Sequence, residues 1–261
     1  MKNIKPNPLV PLLLVGVPGI GKTHIIEQRF NHVEKLLLSS CVEEDIGGIP
    51  WRDGLIARRT KPDWLDRLEK ATGTKCLFLD EIDKARRSVA DTLLTLIASR
   101  TIGEYTLPKE TCIVAAANPD HAGGGPEGLS QPMLNRFCVI TVEPDLAGWV
   151  EWARNLFKSK AARSVIDSVA RGRIPLYETH GEGLNLRTTS PRSLTMAMHL
   201  AEAEGLDDRH VGGLLTAGAA SAFMLSLNAT DHDVLENSTC IVHRATKNSV
   251  IQPFRSGNKT K

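Results

Sequence analysis

Apolar and polar positions change their period along the chain, and those changes divide it. Leu12 to Val15 is apolar throughout and short, the pattern of a strand buried on both faces. Ile26, Phe30 and Val33 then recur at helical spacing, and Leu36 to Cys41 reads as a second buried strand. Cys76 to Leu79 is a third apolar run, after which Val89, Leu93, Leu96 and Ile97 mark one face of a helix. Thr101 to Leu107 alternates around Gly103 and predicts a small hairpin. A fourth strand is predicted over Cys112 to Ala117, a short helix over Ser130 to Asn135 and a fifth strand over Phe137 to Val142. Beyond Glu143 the strand pattern stops and helices are predicted over Leu146 to Phe157, Ala161 to Ala170, Arg192 to Ala203 and Asp207 to Leu227. Strands alternating with helices, then helices alone, predict an α/β core with a parallel five-stranded sheet sandwiched by helices, followed by a small all-helical lid. The boundary falls at Pro144, giving a core of 1–144 and a lid of 145–230.

Three stretches depart from that frame. Met1 to Pro11 holds three prolines and predicts an extended arm. Residues 42–74 exceed what a strand-helix-strand unit needs and read as an insert. Within it Asp45 to Pro50 is turn-like, and Pro62 to Lys70 is helical through Leu65 and Leu68. After Glu236 no acidic residue occurs, whereas Arg244, Lys247, Arg255, Lys259 and Lys261 are basic. Residues 231–261 therefore read as a basic terminal tail, mobile or serving as an anchor for a polyanion or partner.

Composition narrows the class further. With 41% hydrophobic and 24% charged residues among 261, an ordinary globular core is possible, and a net charge of +2 does not by itself point to nucleic acid. The five cysteines are widely spaced without a C-x-x-C pair, which predicts buried free thiols; the histidines form no ligand-like cluster. No leader segment and no run of about 20 apolar residues occurs, so the expected location is cytoplasmic, with no membrane partner.

Chemistry concentrates at the predicted strand ends. Gly16-Val17-Pro18-Gly19-Ile20-Gly21-Lys22-Thr23 fits G-x-x-x-x-G-K-[ST] between a strand and a helix start, the context a phosphate loop requires. Glycines let backbone N–H groups turn inward on a polyanion, Lys22 reaches the β- and γ-phosphates of ATP, and the Thr23 hydroxyl holds Mg²⁺. Asp80 and Glu81 end the third strand, where ligands of open α/β sheets collect. Asp80 suits a contact to Mg²⁺ through water, and Glu81 the base that orients a water for attack on the γ-phosphate. Asn118 ends the fourth strand with an uncharged amide suited to a water or a phosphate oxygen, although Asn-Pro also starts turns. Arg136 stands at the junction into the fifth strand, after the glycines of His121 to Gly128. An arginine supplied across a subunit contact adds about 10³–10⁵ in rate to phosphoryl transfer. Arg192 follows Ser190-Pro191, an N-cap and first-turn proline. Thr60-Lys61-Pro62-Asp63 matches a guanine-reading pattern but precedes Asp80, the wrong order for that role, so ATP is expected.

In their order these segments resemble the AAA+ ATPases, and among them the MoxR family. The resemblance runs from Leu12 to Ala203 through the phosphate loop, Leu77 to Asp83, Asn118-Pro119, Leu134 to Phe137 and Ser190-Pro191-Arg192. Glu44 to Gly48 is similar to the turn opening that family's helix-two insert, and Thr101 to Leu107 to its hairpin before sensor 1, within residues 100–112. The resemblance implies a P-loop NTPase with Walker A at Lys22 and Thr23, Walker B at Asp80 and Glu81, and sensor 1 at Asn118. It implies further an arginine finger at Arg136, a sensor 2 arginine at Arg192 and a ring, usually a hexamer. It makes a von Willebrand factor A-type partner plausible and the protein a remodeller of protein partners. Asp83-Lys84, where that family often has Asn-Arg, and Leu129 to Met133 before the finger depart from the pattern. A nucleic-acid motor or helicase loader on the same core is the alternative, kept open by Arg52, Arg58, Arg59 and Lys61 in the insert.

Overall fold

A computed structural model describes residues 6–119, 129–181, 186–203 and 207–228 of the chain. Its central sheet contains β1 (Leu12–Val15), β2 (His32–Leu37), β5 (Lys75–Asp80), β8 (Thr111–Ala117) and β9 (Cys138–Thr141). The strands run in the order β2-β5-β8-β1-β9, and every pairing is parallel. Successive side chains of a strand leave opposite faces, and the core splits accordingly. Leu13, Val15, Leu77, Leu79, Ile113, Ala115 and Ala117 pack on one side with α3 (Asp63–Lys70) and α4 (Arg87–Ser99). Leu12, Leu14, Cys76, Phe78, Val114 and Ala116 pack on the other with Ile20 and with Ile26 of α1 (Lys22–Glu27). A sheet covered on both faces has no reason for polar alternation, which is why β1, β5 and β8 read as apolar runs.

The register brings strand tips together. Val15 is level with Ala117, so the turn after β1, the Asp80-Glu81 end of β5 and Asn118 after β8 open on one rim. After β9 the helices α6 (Leu146–Leu156), α7 (Lys160–Ala170), α8 (Pro191–Glu202), α9 (Asp208–Leu214) and α10 (Ala217–Asn228) enclose a core of their own around Phe157, Val165, Ile166, Leu194 and Phe223. Among the described residues no helix is long and apolar enough to cross a membrane.

Several local expectations differ from the structure. Helix α1 ends at Glu27, so Val33 lies in β2, which starts before the expected Leu36. Gln28 caps the helix, and farther on Asn31 Oδ1 accepts from Thr74 N at 3.0 Å and from Thr74 Oγ1 at 2.8 Å, tying the entry of β2 to that of β5. The insert contains a helix, α2 (Glu43–Gly47), where a turn is expected, and then an antiparallel hairpin, β3 (Pro50–Asp53) and β4 (Ile56–Arg59), that its sequence does not announce. The C-terminal segment is not wholly helical: β10 (Glu178–His180) pairs with β11 (Arg187–Thr189), with Thr179 and Thr188 hydroxyls 3.2 Å apart. That hairpin also splits the expected Asp207 to Leu227 helix. Buried Thr216 takes a hydrogen bond from its own N–H to Thr189 Oγ1 at 3.0 Å and donates its hydroxyl to Glu178 Oε2 at 2.6 Å, ending α9 before α10 begins. The small hairpin forms as expected, β6 (Thr101–Ile102) with β7 (Tyr105–Thr106). Cys41, Cys76 and Cys112 are buried free thiols, but Cys138 is exposed on the edge strand β9. Cys240, the tail 231–261, the whole His121 to Gly128 loop and the first five residues of the expected arm lie outside the described residues.

Candidate active site

The rim of strand tips forms one wall of a cleft of about 1020 Å³, and α6 with the start of α8 forms the other. The phosphate-loop pattern curls at the floor. Lys22, the first residue of α1, turns its ammonium back over the loop and donates to the carbonyls of Gly16 and Val17, the latter at 3.2 Å. It also donates to Asn118 Oδ1 at 3.2 Å, so the loop lysine and the β8 amide meet directly. Burial pushes the Lys22 pKa down; nearby Asp80 and Asp83 oppose that shift, and Arg192 adds to it. A partly desolvated ammonium of this kind gains from a bound anion.

Asp80 uses both oxygens. Oδ1 accepts from the Glu81 N–H at 3.1 Å, whereas Oδ2 accepts from Thr23 Oγ1 at 3.4 Å and lies 2.9 Å from Lys35 Nζ. Glu81 adopts φ 55°, a left-handed conformation unusual for a residue with a side chain. A hydrogen bond from Ser39 is the chief cause holding its carboxyl below the usual range, and Lys84, 3.1 Å away, adds to it. Glu81 is thereby fixed as a carboxylate. Asp83, two residues on, is pushed the other way by burial, and its Oδ1 has no partner.

The helical segment touches the loop itself. The Arg192 N–H donates to Gly19 O at 3.1 Å, and a side chain at Gly19 would meet Ser190 Oγ at 2.8 Å. Ser190 meanwhile caps α8 by accepting from Ser193 N at 3.2 Å. Farther along the cleft, Trp152 of α6 meets His24 of α1 edge-on at 5.7 Å, with Gln28 bonded to the same imidazole at 2.9 Å. Apolar and aromatic walls beside a cationic floor suit a base carrying phosphates.

Of the residues singled out from the sequence, Gly16 to Thr23, Asp80, Glu81, Asn118 and Arg192 come together here. Arg136 does not line the cleft: it is exposed, and its Nη1 donates to Pro132 O at 2.6 Å. Sequence reading overlooked Lys35 and Ser39. A lysine inside an otherwise half-buried strand was the available signal for the first, whereas nothing in the chain marks the second.

The donor set fits what a phosphate loop requires. Thr23 and Asp80 present two hard oxygens to one another, the donor type magnesium prefers, and Lys22 supplies the cation for phosphate. Residues 11–137 match the family profile described as AAA domain (dynein-related subfamily). The chain is 28% identical over 168 residues to Midasin of Giardia intestinalis and 27% identical over 158 residues to Midasin of Dictyostelium discoideum. Those alignments cover 56% and 51% of this chain but only 3% and 2% of the relatives. A Thermotoga maritima RuvB Holliday junction branch migration motor structure aligns with TM-score 0.44 at 17% identity, covering 90% of this chain and 70% of that one. At that distance the alignment adds nothing to the sheet topology seen directly. With its loop, sheet and cleft, the segment 11–137 has the parts that an AAA domain of this subfamily needs to bind and hydrolyse ATP, and it is this segment that the family profile matches.

Proposed function

We propose that this chain assembles into a ring, as a hexamer, and hydrolyses ATP at subunit interfaces to remodel a protein partner in the manner of the MoxR family. The observation that carries this reading is the division of the site. Lys22, Asp80, Glu81, Asn118 and Arg192 share one cleft, while Arg136 stands on the surface outside it. A residue so placed is available to a neighbouring subunit's γ-phosphate.

In this scheme the N–H groups of the loop and Lys22 hold the phosphates, and Arg192 joins them from the helical lid at 145–230, whose first contact with the loop is at Gly19. Thr23 and, through water, Asp80 would hold magnesium, which would supply charge neutralisation on the phosphate oxygens. Glu81 accepts a proton from the attacking water, and Asn118 orients that water or a γ-phosphate oxygen. Product release lets the lid swing on the Gly19 contact, which transmits the cycle to the insert (42–74) and the hairpin (100–112). The two move together, because Tyr105 donates to Arg59 O at 3.1 Å and Arg58 faces Glu104 at 3.9 Å. A von Willebrand factor A-type partner and a cytoplasmic location belong to the same proposal.

The nucleic-acid alternative keeps Arg52 of the insert, which donates to Gly54 O at 2.8 Å, but loses three of its four basic residues to acidic partners. Arg58 pairs with Asp53 at 2.8 Å, Arg59 with Glu43 at 3.1 Å, and Lys61 with Glu69, so those charges are already matched within the chain. Mixing tests the proposal. Glu81→Gln and Arg136→Ala chains are each expected to be inactive alone, and a mixture should regain hydrolysis where an intact Glu81 meets a neighbour's Arg136. Inactivity of every mixture, with both variants forming rings, would contradict an arginine acting across the interface.

A further inference from the structure

Lys35 belongs to no motif of the site, yet it touches the site's metal-facing carboxylate. It lies on β2 level with Phe78 of β5, two residues before Asp80, and its Nζ sits 2.9 Å from Asp80 Oδ2. That is the same oxygen to which Thr23 Oγ1 donates, the other oxygen being taken by the Glu81 N–H. The ammonium and the Thr23 hydroxyl therefore converge on one lone-pair region. The side chains differ in exposure: Lys35 is 40% exposed, whereas Asp80 is 15% exposed and held by its backbone bond. The acid is held on one side by a backbone N–H, and the lysine has open solvent beside it. The other lysines of this rim are engaged elsewhere, Lys84 with Glu81 and Lys22 with Gly16 O, Val17 O and Asn118 Oδ1.

We propose that Lys35 is a displaceable counter-ion of Asp80 that keeps bare divalent metal off the Thr23–Asp80 pair and admits it together with nucleotide phosphate. The inference rests on the reading that Asp80 and Thr23 face the metal. A divalent ion arriving alone, directly or through water, must share Oδ2 with a monocation already at contact, and the repulsion between them offsets its attraction to one carboxylate. A metal carried by a triphosphate brings compensating negative charge, which faces Lys35 as well as the metal. The lysine thus discriminates metal–nucleotide from metal without touching the reacting atoms, which makes it a positioning residue.

The test uses Mn²⁺ as the probe, followed by its electron paramagnetic resonance in titrations of the full chain. Without nucleotide, Lys35→Met should bind Mn²⁺ about three- to tenfold more tightly than the unmodified protein, from removal of one partly exposed charge contact against a doubly charged ion. Lys35→Arg keeps the charge and should match the unmodified protein. With ADP present the Lys35→Met advantage should shrink to less than about twofold, as phosphate charge takes over the compensation. Equal or weaker Mn²⁺ binding by Lys35→Met would overturn the proposal. Should that variant fail to melt cooperatively, Lys35→Gln, of similar length and neutral, takes its place with the same expectation. Asp80→Asn separates the two levels. It should weaken Mn²⁺·ADP binding in either background, and unchanged binding would overturn the placement of the metal itself.

Discussion

Replacing Gly19 by alanine probes the joint between the phosphate loop and the helical segment. Gly19 has φ 83°, where a side chain costs about 1–2 kcal/mol in backbone strain. The new Cβ would also stand 2.8 Å from Ser190 Oγ, closer than such atoms approach, and 3.2 Å from Ser190 Cβ, a tight contact. Relief requires Ser190 to retreat. That loosens the cap it provides to Ser193 N, worth about 1 kcal/mol, and strains the Arg192 N–H bond to Gly19 O, worth about 0.5–1.5 kcal/mol. The total expected is about 2–4 kcal/mol, not all of it realised if α8 moves freely. Gly54→Ala is the control, since Gly54 has φ 60° with no atom within 4 Å of a built Cβ and carries the strain alone. Urea unfolding of both variants should show midpoints lowered at unchanged slope, with Gly19→Ala the worse by about 1–2 kcal/mol. Binding of a fluorescent ADP analogue should weaken about tenfold or more in Gly19→Ala and stay constant in Gly54→Ala, because only the first displaces the loop. Adding Ser190→Gly should return part of the difference. Equal destabilisation by the two alanines, with nucleotide affinity intact in both, would refute the argument that α8 rests on the loop.

Two further outcomes follow from the same geometry. Because burial lowers the Lys22 pKa and a bound phosphate favours its charged form, ADP·Mg²⁺ binding should take up protons on the alkaline side, beginning below the ordinary lysine value of 10.5. Affinity is then fully present while Lys22 is protonated and falls as pH rises through its lowered pKa. Calorimetry in two buffers of different ionisation enthalpy reads the uptake, and identical heats in both would contradict it. Arg67→Ala should destabilise the protein by about 1–3 kcal/mol in urea unfolding, the low end reflecting a half-exposed arginine. It removes both Arg67 Nε bonds, at 3.0 and 3.1 Å, from the Glu34 carboxylate, which is 8% exposed and anchors α3 to β2. A change below about 0.5 kcal/mol would show that water replaces the guanidinium.

What the sequence discloses depends on burial. β1, β5 and β8 are covered on both faces, so their apolar runs are continuous and their ends, Gly16, Asp80 and Asn118, are placed correctly by inspection. β2 is an edge strand that buries Glu34 beside Leu36 and exposes Leu37, so no apolar run marks its span, and its entry is tied to that of β5 by Asn31 and Thr74. The insert hairpin β3–β4 exposes Trp51, Leu55 and Ile56 and so has no buried face to impose a period. The break at Thr216 depends on Glu178 and Thr189, which are distant in sequence. In the site, motif residues are visible because backbone geometry demands their types: glycine for the loop, carboxylates at a strand tip. Contacts made by side chains of unremarkable type, Lys35 to Asp80 and Ser39 to Glu81, appear only when the strands are aligned. Arg136 is visible as a motif yet stands on the exposed surface apart from the cleft.

Equilibrium dialysis of ATP·Mg²⁺ against the full chain and its Lys22→Ala variant tests the central claim most directly. The unmodified protein should bind saturably, one nucleotide per chain, and the variant should show no saturable binding while melting as cooperatively as the parent. Retention of tight binding by Lys22→Ala would place the phosphates elsewhere and contradict the account.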